Sequence, residues 1–159
     1  MSAESLARHA GELLRIRGLT LTVAESCTGG GLGDCITDIP GSSDYFPGGV
    51  IAYSNEAKER VLGVPHEIIA ERGAVSAEVV IRMAEGARRL FRADLALAIS
   101  GIAGPGGGTA DKPVGLVYIA LATARDTQWR RYIWSGDRRE NKRASVQAAL
   151  EWVVEYLET

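Results

Sequence analysis

A serine at the end of an apolar segment is the first candidate for chemistry in this 159-residue sequence. Ser26 follows the β-branched apolar run 19–25 and precedes Thr28, Gly29 and Gly30. The run is typical of a buried strand and the residues from Thr28 onward of a helix, which predicts that Ser26 lies at a strand-to-helix junction. The first amides of a helix have no intrahelical acceptor, so they could hold the oxyanion formed when the Ser26 hydroxyl attacks a carbonyl. The alternative is a serine or threonine that caps an ordinary helix.

A serine nucleophile needs a base, and histidine is a poor candidate here. His9 lies on a predicted N-terminal helix and His66 at a short helix start, positions typical of surface or capping residues. Lysine is the usual substitute, and Lys58 lies in the first turn of a predicted helix, where the dipole and partial burial would favour the neutral amine. Tyr53 could relay a proton or donate to an oxyanion. The alternative is a solvated helix lysine and an ordinary strand tyrosine.

Several common motifs are excluded by the residues they lack. The glycine-rich segment 104–109 has neither the Gly-Lys-Ser/Thr of a Walker loop nor the last glycine of the dinucleotide fingerprint. Ser26 is not part of a Gly-x-Ser-x-Gly elbow, and His66 opens a zincin-like segment without its second histidine. The sequence contains no cluster of metal ligands, so we expect no metal and no cofactor.

Small polar residues follow three of the predicted strands. They are Ser26, Asn55 and the pair Ser100 and Gly101. Ligands of α/β sheets bind beyond the carboxyl ends of the strands, so we expect these residues to converge on one site.

Two further segments could hold an anionic group. The loop 101–112, which contains Gly104 and Thr109, offers unpaired amides that could wrap a phosphate or a ribose; the alternative is a flexible connection. Four basic residues cluster at the start of the predicted last helix: Arg138, Arg139, Lys142 and Arg143. Cations at a helix N-terminus oppose the dipole, so an anionic partner would stabilise them, although a solvated charged face is the alternative.

The hydrophobic pattern alternates between helical and strand periods. Helices are predicted at 5–17, 28–38, 56–62, 65–72, 76–91 and 137–157, and strands at 19–25, 46–54, 94–100, 114–123 and 128–134. Helices alternate with strands until a hairpin closes the set, which predicts an α/β fold with a mixed sheet of about five strands. The strand 94–100 is apolar throughout and is expected at the centre. We expect one domain spanning residues 1–159.

Composition excludes several classes of partner. The net charge of −2 gives no reason to expect nucleic acid or an anionic membrane as a partner. No apolar run is long enough to cross a bilayer, and the N-terminus has no signal-peptide core. Two cysteines are too few for a disulfide framework, so we expect a cytoplasmic protein.

Six short motifs, taken together and in this order, resemble a known family. They are 24–30 (AESCTGG), 53–58 (YSNEAK), 73–76 (GAVS), 100–105 (SGIAGP), 112–115 (KPVG) and 136–138 (GDR). The combination spans nearly the whole chain and is similar to the C-terminal domain of the competence/damage-inducible protein CinA in its stand-alone form. The resemblance implies a three-layer α/β/α sandwich, a homodimer and no metal. It also implies hydrolysis of the carboxamide of nicotinamide mononucleotide, giving nicotinate mononucleotide and ammonia in pyridine-nucleotide salvage.

The family pattern assigns a role to each matching residue. It implies that Ser26 is the nucleophile, that Lys58 is its base and that Tyr53 assists. The amides of residues 28–30 would hold the oxyanion, and Arg138, Arg143 or the glycine loop would meet the 5′-phosphate.

The chain departs from the family pattern at two places. Gly106 stands where relatives often have a polar or acidic residue, and Lys142-Arg143 stands where the family tends to place two arginines. The second departure leaves open which of these two residues holds the phosphate.

Two other functions compete with this hypothesis. The chain could be a nucleotide-binding or regulatory module without turnover, or it could hydrolyse a different amide, such as a small lactam. A binding module needs the glycines and arginines but has no use for a neutral lysine beside a serine, so Ser26 and Lys58 are the discriminating pair.

Overall fold

The computed structural model describes all 159 residues. The helices are α1 (Ala3–Arg17), α2 (Gly31–Thr37), α3 (Asn55–Leu62), α4 (His66–Arg72), α5 (Ala77–Phe91) and α6 (Arg138–Glu158). The strands are β1 (Leu21–Glu25), β2 (Gly49–Ile51), β3 (Leu95–Gly101), β4 (Leu116–Ala122) and β5 (Thr127–Ile133). None of the helices is both long enough and apolar enough to span a membrane.

The strands form one mixed sheet in the order β2-β1-β3-β4-β5. β1 pairs in parallel with both β2 and β3, whereas β3–β4 and β4–β5 are antiparallel. The prediction of a mixed five-stranded sheet is confirmed, and β3 is its central strand as expected. The three parallel strands therefore end at the same edge of the sheet, and this edge carries the candidate site.

The two faces of the sheet bury residues of different size. Large aliphatic side chains, such as Val23, Leu97 and Ile119, pack under α1, α2 and α6. The other face is mostly alanine, including Ala24 and Ala98, and packs against α5. This arrangement is the three-layer α/β/α sandwich that the resemblance implied.

A glycine on α5 brings α3 close to the body of the protein. A Cβ at Gly86 would lie 1.9 Å from the carbonyl oxygen of Leu62, the last residue of α3. No side chain larger than hydrogen fits there, so the helices make backbone contact. The contact seats α3, which carries Lys58, over the alanine face of the sheet.

Several predicted boundaries are wrong by a few residues. The helix predicted from residue 28 begins at Gly31, because Gly29 and Gly30 adopt φ values of +60° and +99° and continue a loop. The strand predicted at 46–54 is reduced to Gly49–Ile51, after Pro47 and Gly48, whose φ is +145°. The strand predicted from residue 114 begins at Leu116.

Candidate active site

Ser26 and Lys58 meet at the carboxyl end of β1. The Lys58 Nζ lies 3.0 Å from the Ser26 Oγ, within hydrogen-bonding distance, and 3.2 Å from the Tyr53 carbonyl oxygen. The Ser26 amide donates to the Ile99 carbonyl at 3.0 Å, which continues the pairing of β1 with β3 and fixes the serine backbone. Lys58 is the fourth residue of α3, and long helical side chains lean toward the helix N-terminus. The Lys58 amine therefore lies at the end of β1, beside Ser26.

Lys58 is buried without a compensating negative charge. Only 2% of the residue is exposed, and it forms no ion pair with any carboxylate. Burial lowers the pKa of the Lys58 ammonium group below its ordinary value, and the nearby Cys27 thiol acts in the opposite direction. The environment therefore favours the neutral amine, which can accept a proton from Ser26.

Cys27 follows the serine but is not an alternative nucleophile. Burial raises the pKa of its thiol to about 11, so the thiolate is scarce at neutral pH. Cys27 and Cys35 are both free thiols.

Tyr53 and Arg138 lie together at the mouth of the site. The Tyr53 side chain is 62% exposed, and its hydroxyl accepts a hydrogen bond from Arg138 Nη2 at 3.2 Å. Arg138 Nη1 donates to the Gly104 carbonyl at 2.8 Å. The Tyr53 hydroxyl has no hydrogen bond to Ser26 or Lys58. Tyr53 binds the lysine amine only through its backbone carbonyl.

These residues surround a cavity of about 260 Å³. Ser26, Tyr53, Asn55, Lys58, Ser100, Gly101 and Arg138 line it together with Cys27, Ala74, Val75 and Ala103. The three strand ends therefore converge as the sequence suggested. The Ser100 hydroxyl donates to the Ala74 carbonyl at 2.8 Å. Its proton is therefore used within the cavity lining and is not available to a ligand.

The loop of residues 26–30, here called the nucleophile loop, differs from the predicted helix start. The Gly29 amide donates to the Ser26 carbonyl at 3.1 Å, and the Thr28 hydroxyl donates to Glu25 at 2.6 Å. The Gly29 amide is therefore engaged within the loop, and the Thr28 hydroxyl is engaged by the end of β1. The amides of Cys27, Thr28 and Gly30 have no protein acceptor.

Glu25 was not among the site residues predicted from the sequence. The residue is 1% exposed, and its carboxylate accepts the Thr28 hydroxyl and the amides of Leu32 and Gly33. One signal was available: an acidic residue ends an apolar strand just before a helix whose N-cap, Gly30, has no side chain.

Asn141 was also missed, and it joins the glycine loop to α6. Its buried amide donates to the Ala103 carbonyl at 3.0 Å and accepts from the Gly136 amide at 3.0 Å. These bonds fix the segment that carries Gly104 beside Arg138.

Six predicted binding residues do not line the cavity: Thr28, Gly29, Gly30, Gly104, Thr109 and Arg143. Thr109 is exposed, and its amide and hydroxyl bond the backbone of Lys112, closing a turn of the loop. Arg143 lines a separate groove of about 720 Å³ between α2 and α6, here called the basic groove, with Arg139 and Lys142. Residues 28–30 of the nucleophile loop form part of its wall, so the groove lies against the loop but shares no lining residue with the cavity.

The residues present do not form a metal site. The chain has no group of three or more His, Cys, Asp or Glu side chains able to hold an ion. His9 and His66 bond glutamates, and neither lines the cavity that contains Ser26, so neither is placed to act as its base.

Comparison with known proteins places this geometry in a family. A family model described as the CinA C-terminal domain matches residues 3–157. A putative competence-damage inducible protein of Desulforudis audaxviator is 54% identical over 147 residues, which are 92% of this chain and 36% of the relative. The chain thus spans about a third of that relative's length. The nicotinamide-nucleotide amidohydrolase PncC of Escherichia coli K12 is 51% identical over 147 residues, 92% of this chain and 89% of that protein.

Solved structures agree over nearly the whole chain. The competence damage-inducible protein A (ComA) of Klebsiella pneumoniae superposes with a TM-score of 0.97 at 35% identity, covering 99% of this chain and 98% of the other. The competence/damage inducible protein CihA of Agrobacterium tumefaciens gives a TM-score of 0.95 at 40% identity, covering 99% and 96%. The chain belongs to the CinA C-terminal domain family.

Proposed function

We propose that this protein hydrolyses the carboxamide of nicotinamide mononucleotide to nicotinate mononucleotide and ammonia through an acyl-enzyme on Ser26. The observation that carries the proposal is the buried Lys58 amine, 3.0 Å from the Ser26 hydroxyl and without a carboxylate partner. The amidohydrolase name of the Escherichia coli relative supports the substrate class. The product would re-enter pyridine-nucleotide salvage, and we extend the proposal to a cytoplasmic homodimer.

The acylation step uses the pair directly. Neutral Lys58 takes the Ser26 proton as the Oγ attacks the carboxamide carbon, and the carbonyl oxygen becomes an oxyanion. Protonated Lys58 then returns its proton to the nitrogen as the C–N bond breaks, so ammonia leaves and an ester with Ser26 remains. In this proposal Tyr53, at the cavity mouth, is the alternative donor of the proton to the departing nitrogen.

The oxyanion needs donors that are free to turn toward it. The amides of Cys27 and Thr28, the two residues that directly follow the nucleophile, have no protein acceptor. The Gly29 amide is engaged by the Ser26 carbonyl, and the Gly30 amide is free but lies farther along the loop from Ser26. Amide donors beside the nucleophile stabilise the oxyanion of an acyl-transfer transition state. We therefore assign the oxyanion site to residues 27 and 28 instead of 28–30.

Deacylation repeats the steps with water. Lys58 takes a proton from a water molecule that attacks the ester, and the Ser26 oxygen recovers a proton as the carboxylic acid leaves. The sum is one amide and one water converted to one acid and one ammonia, with Ser26 and Lys58 unchanged.

The chemistry of the substrate fits a neutral lysine. The pyridinium ring is cationic and withdraws electrons, which makes its carboxamide more electrophilic than a plain amide. A charged lysine beside that ring would repel it, whereas a neutral one does not. Arg138, at the mouth of the cavity, is the cation best placed to meet the 5′-phosphate.

The test measures ammonia release from nicotinamide mononucleotide with excess chelator. We expect the wild-type protein to release ammonia and Ser26→Ala to lose turnover while keeping its circular dichroism spectrum and melting temperature. Ser42→Ala is the matched control, because Ser42 is an equally buried serine that does not line the cavity. Near-normal turnover by Ser26→Ala would refute the mechanism. Nucleotide binding without ammonia release from wild type would favour a binding module.

A further inference from the structure

We propose that Glu25 is the positioning residue of the Ser26 nucleophile, because its buried carboxylate caps α2 from the preceding strand and thereby fixes the nucleophile loop. The inference rests on the proposed function and adds a residue to its machinery. Glu25 is the last residue of β1, and Ser26 follows it directly.

The carboxylate occupies the place of a helix cap. The N-cap of α2 is Gly30, which has no side chain to offer. Glu25 Oε1 accepts the Leu32 amide at 2.8 Å and Oε2 accepts the Gly33 amide at 2.9 Å. These are the second and third residues of the helix, whose amides an N-cap side chain normally serves.

The cap closes the loop around the serine. The five residues of the nucleophile loop include two glycines with positive φ, which supply little stiffness of their own. The carboxylate links the strand end before the loop to the helix start after it, and the Thr28 hydroxyl binds Oε1 at 2.6 Å midway. Thr28 therefore holds the peptide that carries the candidate oxyanion amides.

Glu25 does not act as the base. Its oxygens bond Thr28, Leu32 and Gly33, and neither contacts Ser26 or the Lys58 amine. These contacts favour a geometric effect on the reaction, and a displacement of about 1 Å at a nucleophile costs about 100-fold in rate.

The contacts require a group that only accepts hydrogen bonds. In Glu25→Gln the amide NH₂ must face at least one of the three donors, so one donor loses its acceptor. Thr28→Val removes the midway contact alone, and Thr28→Ser keeps the hydroxyl. Asp94→Asn is the matched control, because Asp94 accepts the Thr20 amide at 2.9 Å just before the opposite end of β1.

The experiment measures kcat and KM for nicotinamide mononucleotide across the pH range, together with the rate at which a fluorophosphonate labels Ser26. We expect Glu25→Gln to lower kcat about 100-fold, with KM changed less than about 3-fold and the rising limb of the pH profile at the same pH. Thr28→Val lowers kcat about 10-fold, Thr28→Ser restores it, and Asp94→Asn changes neither constant. The labelling rate falls in parallel with kcat.

Two results would overturn the inference. One is wild-type kcat and labelling in both Glu25→Gln and Thr28→Val. The other is a Glu25→Gln activity that returns when the pH is raised, since the carboxylate would then act through the charge of Lys58. Wild-type protein that releases no ammonia refutes the proposed function instead, and the labelling rates then decide the positioning role, because they need only a nucleophilic Ser26.

Discussion

Replacing Lys58 by methionine should abolish turnover and stabilise the folded protein. Lys58 is buried, has no carboxylate partner and makes two hydrogen bonds, to the Ser26 hydroxyl and the Tyr53 carbonyl. Methionine has a similar volume and needs no polar partner. Functional sites often store such a cost, which a neutral replacement removes together with the activity.

The size of the effect follows from two opposing contributions. Loss of the two hydrogen bonds destabilises the variant by about 1 kcal/mol each. Each unit by which burial lowers the pKa of Lys58 costs the wild-type protein about 1.4 kcal/mol at a pH below that lowered pKa. We expect the desolvation cost to exceed the loss of the two hydrogen bonds, so that Lys58→Met melts at a higher temperature at pH 7, by about 2–4 °C for each kcal/mol of net gain in a chain of this size.

The gain must depend on pH in a defined direction. The pKa of Lys58 in the folded protein lies below the ordinary lysine value of 10.5. Between the two values the unfolded chain binds more protons than the folded one, so wild-type stability rises with pH. Methionine does not titrate there. The advantage of Lys58→Met is therefore full below the lowered pKa and shrinks as the pH approaches 10.5.

Melting temperatures of both proteins from pH 6 to about 10.5 test this directly, with ammonia release as the activity assay. Lys142→Met is the control, since it also removes one positive charge but from a partly exposed site. A melting-temperature difference for Lys58→Met that stays constant across this range would refute the argument that burial holds Lys58 near its neutral form. Residual activity near the wild-type level would refute its role as the base.

Two further predictions concern the phosphate and the packing of the helices. Arg138→Gln should raise KM for nicotinamide mononucleotide about 10- to 100-fold while leaving KM for free nicotinamide unchanged. Arg143→Gln should change neither KM. The reverse pattern would place the phosphate in the basic groove. Gly86→Ala should destabilise the protein by about 2–3 kcal/mol in denaturant melts, because the new methyl overlaps the Leu62 carbonyl. Gly106→Ala, which meets nothing within 4 Å, is its control, and equal melts would contradict the packing argument.

The sequence was enough to predict that Ser26 and Lys58 approach each other. Parallel strands end at the same edge of a sheet, so small polar residues after strands 19–25, 46–54 and 94–100 had to converge once the α/β pattern was recognised. The strand lengths did not have to be right. β2 has only three residues, and Lys58, on the helix that follows it, still lies at this edge of the sheet. What mattered was the direction of the strands and not their boundaries.

The path of the nucleophile loop could not be predicted in the same way. A helix from residue 28 and a helix from Gly31 bury the same apolar side chains of α2, so hydrophobic periodicity does not distinguish them. The difference lies in two positive φ values and in a carboxylate that reaches across the loop. Thr109 and Arg143 show the same limit, because a loop or helix residue can turn to either side of a strand end and no local pattern says which.

An acidic and a basic side chain, Glu25 and Lys58, lie buried near the end of β1 and do not pair. Glu25 directs both oxygens to Thr28 and the start of α2, while Lys58 directs its amine to Ser26 and the Tyr53 carbonyl. An ion pair between them would favour the charged lysine and leave Ser26 without a base. Separate partners satisfy the carboxylate with hydrogen bonds alone and leave desolvation as the main influence on the lysine. A serine-lysine pair of this kind thus depends on engaging the buried Glu25 carboxylate elsewhere as well as on bringing the amine to the hydroxyl.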